Sequence, residues 1–260
     1  MKRVISWLIL SLWLPILLHA GHKWVITYAK GAPYTHQSYV VTEEWPILAR
    51  EIDKRWKQGY DLIDVAQGYT RWVGLFAKQT GFKSQAYVVR RVWADFREEL
   101  ERKYEAGYAL IDLEHGDGVY VGIFVKGSDL KNPNYFTTDY YDQLRRKIKE
   151  AWAKGYKVDF IRYYEGHWIA FVDQDAATPQ TLDSARTWKS FNRIIKARWK
   201  EGYFLTDLHF GFDQWVGTFS KTKKYSAQSY DLSNKWKYLH PLIKKRWREG
   251  YQIVEITDGW

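Results

Sequence analysis

The chain of 260 residues has no cysteine and a single methionine. Without cysteine there is no disulfide to tie the fold, no thiolate nucleophile and no Cys-based zinc or iron–sulfur site. Histidine is sparse too, at seven residues, and no pair of them has metal-ligand spacing. No Gly-rich phosphate loop, nucleophile elbow or Ser-His-Asp signature is visible. No cofactor and no metal is therefore expected.

Long apolar runs are almost missing. The exception is Val4–Leu18, 15 residues behind Lys2 and Arg3 and ahead of Leu18-His19-Ala20. A basic start, a short apolar stretch and a small residue at a cleavage point make residues 1–20 a secretory signal peptide. The run falls short of the roughly 20 residues that cross a bilayer, so an uncleaved anchor is the competing reading. The expectation is an exported protein, periplasmic or extracellular, with a single domain over 21–260 and no transmembrane span after cleavage. Removal of Lys2 and Arg3 lowers the formal charge from +10 to +8. The remaining excess favours acidic partners such as anionic glycans.

Aromatic residues are abundant: 18% of the chain, with 15 tryptophans. Their placement reveals a repeat. A Gly-Tyr pair recurs at Gly59, Gly107, Gly155, Gly202 and Gly250, in steps of 48, 48, 47 and 48. Three residues before each glycine stands Trp56, Tyr104, Trp152, Trp199 or Trp247. A fixed period of this size marks a solenoid, a propeller or another array.

Each unit contains one helix. Trp45, Leu48, Ile52 and Trp56 lie at offsets 0, 3, 7 and 11, and the other four units repeat the pattern. That spacing gathers four apolar side chains on one face. The glycine behind each helix stands where a left-handed cap belongs. Short alternating segments fill the rest as strands. Counted from residues 24, 72, 120, 168 and 215, each unit reads ββαβ. No polar capping repeat is visible, which favours a pseudo-five-fold α/β propeller, a toroid of five units, over an open α+β repeat array. Such units resemble those of pentein-type α/β propellers in element order and number.

Two stretches carry a closer resemblance. Ala29-Lys30-Gly31-Ala32-Pro33-Tyr34-Thr35-His36-Gln37-Ser38-Tyr39 is one. Ile52-Asp53-Lys54-Arg55-Trp56-Lys57-Gln58-Gly59-Tyr60, followed by Arg71-Trp72-Val73, is the other. They resemble a domain of unknown function, DUF7477, found behind the kinase domain of plant casein-kinase-1-like proteins and in bacterial proteins. The resemblance is densest over residues 24–90. It implies a repeat domain and no particular activity.

Three sets of residues are candidates for chemistry. Asp64, Asp112, Asp207 and Glu255 follow the Gly-Tyr tyrosine by four residues, while unit three has Phe160 there and Asp159 one step earlier. Brought round one centre, these acids would bind a cation or supply a general acid and base; otherwise they cap turns or pair with basic neighbours. Gln37, Gln85, Gln180 and Gln228 also repeat, three of them two residues before a tyrosine. An amide beside an aromatic ring suits sugar recognition, or else satisfies neighbouring backbone. His115 and His167 fall in turns between strands. Off the helical stripe, Tyr34, Tyr69, Phe82, Tyr163, Tyr164, Phe210, Phe212 and Tyr225 are expected in turns sharing one face. The divergent loops Asp129–Thr138 and Asp173–Thr187 are where asymmetry, and hence a single site, is expected.

The leading functional expectation is a non-catalytic binding module for a cell-surface glycan or protein. A glycan hydrolase using the repeated carboxylates is the alternative. Nucleic acid is disfavoured, because the basic residues spread over helix surfaces.

Overall fold

The computed structural model describes residues 21–175 and 178–260; residues 1–20, expected to be a signal peptide, lie outside the described residues. The first unit comprises β1 (Lys23–Lys30), β2 (Thr35–Thr42), α1 (Trp45–Lys57) and β3 (Asp61–Gly68). The second has β4 (Arg71–Lys78), β5 (Ser84–Arg90), α2 (Trp93–Glu105) and β6 (Ala109–Gly116). The third has β7 (Val119–Lys126), β8 (Asn134–Thr138), α3 (Tyr141–Ala153) and β9 (Tyr156–Tyr164). The fourth has β10 (His167–Gln174), β11 (Gln180–Ala185), α4 (Trp188–Lys200) and β12 (Phe204–Gly211). The fifth has β13 (Gln214–Ser220), β14 (Ala227–Ser233), α5 (Trp236–Arg248) and β15 (Gln252–Gly259). The ββαβ order expected from the repeat holds in all five.

The helices form for the reasons the sequence offers. Their second and third stripe residues, such as Leu48 and Ile52 or Phe191 and Ile195, are fully buried against the sheets. The glycine cap behaves as expected: Gly59 takes φ 74°, and the Tyr60 N–H returns to the Arg55 carbonyl at 3.1 Å.

The sheets are not the sequence units. Each antiparallel three-stranded sheet joins the last two strands of one unit to the first strand of the next, in the orders β2-β4-β3, β5-β7-β6, β8-β10-β9 and β11-β13-β12. The fifth is β14-β1-β15, with the first strand seated between the last two. The spatial unit is therefore βαββ, shifted by one strand, because a two-residue hairpin ties each unit to the opening strand of its successor.

The inner strands β3, β6, β9, β12 and β15 are edges of their sheets. Each lies beside the inner strand of the following unit, and β15 lies beside β3. Every one carries a bulge at the same place, where the register skips Ile63, Ile111, Asp159, Thr206 and Val254. A bulge re-aims side chains. Here it turns that residue and its successor toward the same central cavity in four of the five units. At the hairpin end the strands converge until only glycine fits: a Cβ on Gly116 would sit 2.3 Å from Gln67 Cγ. Unit three breaks this rule with Tyr164, whose ring fills the centre.

The four repeated glutamines lock neighbouring units. Gln85 Oε1 accepts the Trp56 indole N–H at 2.5 Å and the Leu62 N–H at 2.8 Å, and its Nε2 donates to the Leu62 carbonyl at 2.6 Å. Gln180 does the same with Trp152 and Val158, Gln228 with Trp199 and Leu205, and Gln37 with Trp247 and Ile253. Where the third unit supplies Asn134 in place of glutamine, the helix before it ends in Tyr104 instead of tryptophan, and both partners of the lock are changed together. The expectation that these amides meet sugar hydroxyls is thus corrected: they are spent on backbone that no strand pairs with.

Gln228→Ala should lower the unfolding free energy by about 2–4 kcal/mol, since it strands a buried N–H, a carbonyl and an indole N–H. Chemical denaturation measures this, and a loss below about 0.5 kcal/mol would remove the lock from the account.

Candidate functional site

The repeated acids do come together, around a residue the repeat does not announce. Arg162, on β9 in the unit that lacks the acid, is buried at the centre. Its Nη1 donates to Asp207 Oδ1 and its Nη2 to Asp112 Oδ1, both at 2.8 Å, and Glu255 Oε1 lies 3.7 Å from Nη2. Its Nε donates to the Leu113 carbonyl at 2.9 Å. The guanidinium lies 4.9 Å from the centre of the Phe160 ring, which stands where the other units carry their acid.

The same acids tie inner strand to inner strand. Asp112 Oδ2 accepts the Val65 N–H, Asp207 Oδ2 that of Ile161, and Asp64 Oδ2 that of Ile256, at 2.8, 3.0 and 2.8 Å. Phe160 cannot do this for Leu113, whose N–H is taken by Asp112 Oδ1 instead. One cation serves four acids, and their burial shows in their proton affinity. Burial raises Asp207 to about 6 against the pull of Arg162. Burial, then the Asp112 charge, drives Asp64 well above the carboxylate range, and burial does the same for Glu255.

Beyond Arg162, toward the hairpin turns, a cavity of about 430 Å³ opens. Gln67, Glu114, His115, Tyr163, Tyr164, His209, Phe210, Phe212, Asp213, Asp258 and Trp260 line it, with neither lysine nor arginine among them. Tyr164 Oη donates to Glu114 Oε1 at 2.9 Å. Burial and the Asp258 charge hold the Glu114 carboxyl up at about 8, and burial holds Asp258 at about 7. Near neutral pH Glu114 carries a proton while Asp258 is about half protonated, so the pair can donate as well as accept hydrogen bonds. His209 accepts the Tyr163 N–H on Nε2 at 2.9 Å. Burial and nearby Arg162 depress it to about 3, so it is neutral.

The hairpin turns around this mouth break a local rule. Two-residue turns with positive φ at both positions call for Asn-Gly or Asp-Gly. Asp117-Gly118 fits that pattern, and Glu165-Gly166 supplies the glycine. Tyr69-Thr70 and Phe212-Asp213 do not, although Tyr69 takes φ 41° and Phe212 φ 47°. Both rings stand in solvent, at 67% and 69% exposure, as does Trp260 at 51%. Buried His22 stacks on Tyr69 at 5.3 Å and meets Trp260 edge-on at 5.8 Å, so the fold bridges two of these rings.

At the opposite, loop end lies a smaller cavity of about 220 Å³ lined by Tyr34, Phe82, Asp64, Asp129, Asp159 and Glu255, among others. Its carboxylates have partners: Asp129 pairs with Lys224 at 2.6 Å, and Asp159 with Lys157. The expectation that the off-stripe aromatics share one face is therefore corrected. Tyr69, Tyr163, Tyr164, Phe210 and Phe212 stand at the hairpin end, Tyr34, Phe82 and Tyr225 at the loop end. The divergent Asp129 loop borders the loop-end cavity. Of the two histidines, His115 lines the hairpin-end mouth, while exposed His167 pairs with Asp139 at 2.8 Å.

Sequence reasoning missed Arg162, Glu114, His209 and Asp258, because none of them repeats. One signal was available for the arginine: unit three loses its acid and gains a basic residue two positions later.

The central acids set the pH response. A carboxyl whose folded pKa lies above its unfolded value stabilises the fold below the unfolded pKa and loses that contribution as pH rises through the folded one. Asp159 and Asp207 near 6, Asp258 near 7 and Glu114 near 8 therefore weaken the fold stepwise between about pH 4 and pH 8. His209 acts in the opposite sense, losing stability as pH falls from about 6.5 toward 3. Asp64 and Glu255 act with these carboxyls, His22 and His115 with His209; the carboxyls outweigh the histidines, so Tm should be higher near pH 5 than near pH 8.5, and a flat or rising profile would contradict the proton-loaded centre. Arg162→Met should cost about 3–5 kcal/mol at pH 8 and clearly less near pH 4.5, where Asp64, Asp207 and Glu255 are neutral.

Over residues 18–114 the chain matches a domain of unknown function, DUF7477. That span takes in the first two helices and the inner acids Asp64 and Asp112. Neither the curated proteins nor the solved structures gave a match.

Proposed function

We propose that the five units close into a pseudo-five-fold α/β propeller whose hairpin-end mouth binds a glycan, in an exported and non-catalytic module. Closure is supported by β1 lying between β14 and β15, and by the succession of inner strands in which β15 meets β3. Export rests on the leader-like residues 1–20.

The observation that carries the glycan reading is the aromatic rim. Phenylalanine and tyrosine in left-handed turn positions cost about 1 kcal/mol or more each relative to asparagine or glycine. Such strain, kept together with exposure of the rings, points to use. Aromatic faces cover the apolar faces of sugar rings. Below them Glu114, Asp258, Gln67 and the histidines offer both donors and acceptors to hydroxyls.

A hydrolase is the second reading. It moves from Asp112 and Asp207, which are engaged with Arg162, to Glu114 and Asp258, which face the cavity; a proton-bearing Glu114 has the character of a general acid.

Titration of Gly21–Trp260 with neutral and anionic cell-wall glycans, followed by tryptophan fluorescence and repeated at high salt, tests the glycan reading. Saturable binding is expected to survive salt. Trp260→Ala and Phe212→Ala should each weaken it about tenfold or more. Phe212→Asn should weaken binding similarly while raising stability by about 1 kcal/mol, because asparagine suits the turn. Loss of binding to every glycan tested would sink this reading, and released reducing ends would replace it with the hydrolase.

A further inference from the structure

The positive charge is concentrated on one flank. Helix α4 carries Lys189, Arg193, Lys196, Arg198 and Lys200 with no acidic residue, and α5 carries Lys237, Lys244, Lys245, Arg246 and Arg248 with none either. By contrast α2 holds five acids against three bases. The two basic helices belong to adjacent units, and β14 bridges them through Tyr230 Oη, which donates to Asn192 of α4 at 2.6 Å.

Internal pairing consumes little of this charge. Arg198 is held by Asp183 at 2.8 Å and Arg246 by Asp231 at 3.0 Å, both at the sheet side of their helices. Lys189, Arg193, Lys196, Lys200, Lys237, Lys244 and Arg248 are exposed and form no ion pair within the described residues. Exposed Tyr238 stands among them, beneath the Lys237 ammonium at 5.0 Å, with Leu232 exposed nearby. Like charges gathered on one face oppose folding and need a reason.

We infer that the α4–α5 flank is a docking surface for anionic phospholipid headgroups. The cations are spread over the outer faces of two helices, not along a channel with stacking rings, so they match a sheet of headgroups better than a single threaded strand. Tyr238 and Leu232 supply a small apolar tip for the interface, where tyrosine is at home. No helix of the described residues is long and apolar enough to cross a membrane, so the attachment is peripheral. Each lysine or arginine within reach of an anionic surface adds about a fivefold factor to partitioning.

Co-sedimentation of Gly21–Trp260 with vesicles tests this, using phosphatidylcholine alone and phosphatidylcholine mixed with phosphatidylglycerol. Binding is expected only to the mixed vesicles and should fall with added salt. The triple variant Lys196→Glu, Lys200→Glu, Lys244→Glu should lose it by about a hundredfold or more. A control, Arg50→Glu, Lys57→Glu, Arg97→Glu, makes the same change of net charge on the exposed far side, on α1 and α2, and should lose much less. Equal loss in both variants would reduce the effect to net charge and overturn the proposal. So would equal binding to neutral vesicles, or binding to heparin but not to the mixed vesicles.

Discussion

Everything in this protein answers to one constraint: each inner strand is the edge of a three-stranded sheet, and its outward-facing backbone has no ladder to join. Buried N–H groups without partners are too costly to leave. The repeat supplies a side chain for most of them, the unit with Asn134 and Phe160 being the exception. At the start of the inner strand a glutamine from the next unit takes both the N–H and the carbonyl of one residue, as Gln85 does for Leu62. Three positions further along, an acid from the next unit takes a single N–H, as Asp112 does for Val65. Side chains thus do between units what hydrogen-bonded strands do within them, and the bulge between the two positions sets their aim.

That solution creates the chemistry of the centre. Carboxyls recruited as backbone acceptors crowd together away from water, where their charges repel and burial opposes ionisation. A fifth acid would have made this worse. Unit three instead brings Phe160, Arg162 and Tyr164, and the arginine draws on Asp112, Asp207 and Glu255 together. The asymmetry of the site is therefore a by-product of stabilising a symmetric frame. Arg162 and Tyr164 separate the two ends of the centre, so that the hairpin mouth, with Glu114 and Asp258, is chemically unlike the loop mouth, with Asp129 and Asp159.

Much of the frame was legible from spacing. Helices, caps and strand order follow from Leu48, Ile52 and Gly59 and their equivalents, because a 3.6-residue stripe and a left-handed glycine are local facts. The boundary of the sheet was not, since hydrogen-bonded pairing of β4 with β2 and β3 is a non-local fact that a repeat count starting anywhere describes equally well. The repeated acids were recognisable as a set, but their partner was hidden in the one unit that departs from the pattern. The glutamines were visible at a constant spacing. Their function was also encoded, in the steady 28–29 residues separating each from the helix-end tryptophan three times over. Amide and indole were read as separate candidates, so the pairing escaped notice. The division of aromatics between two ends was illegible because hairpins and longer loops alternate along the chain and look alike in composition.

The seating of β1 between β14 and β15 bears on how the chain reaches this state. Four sheets assemble from segments close in sequence, and each can form as soon as its own stretch is available. The fifth must join residues more than two hundred positions apart, such as Thr27 with Glu255 and Tyr230. Closing so long a loop is slow. Until it happens β1 presents two bare edges and the apolar Trp24, Ile26 and Tyr28 to its surroundings. For a chain that emerges amino end first, the first strand out is the last to find its place. The interval between those events is the window in which this otherwise self-contained protein depends on its environment.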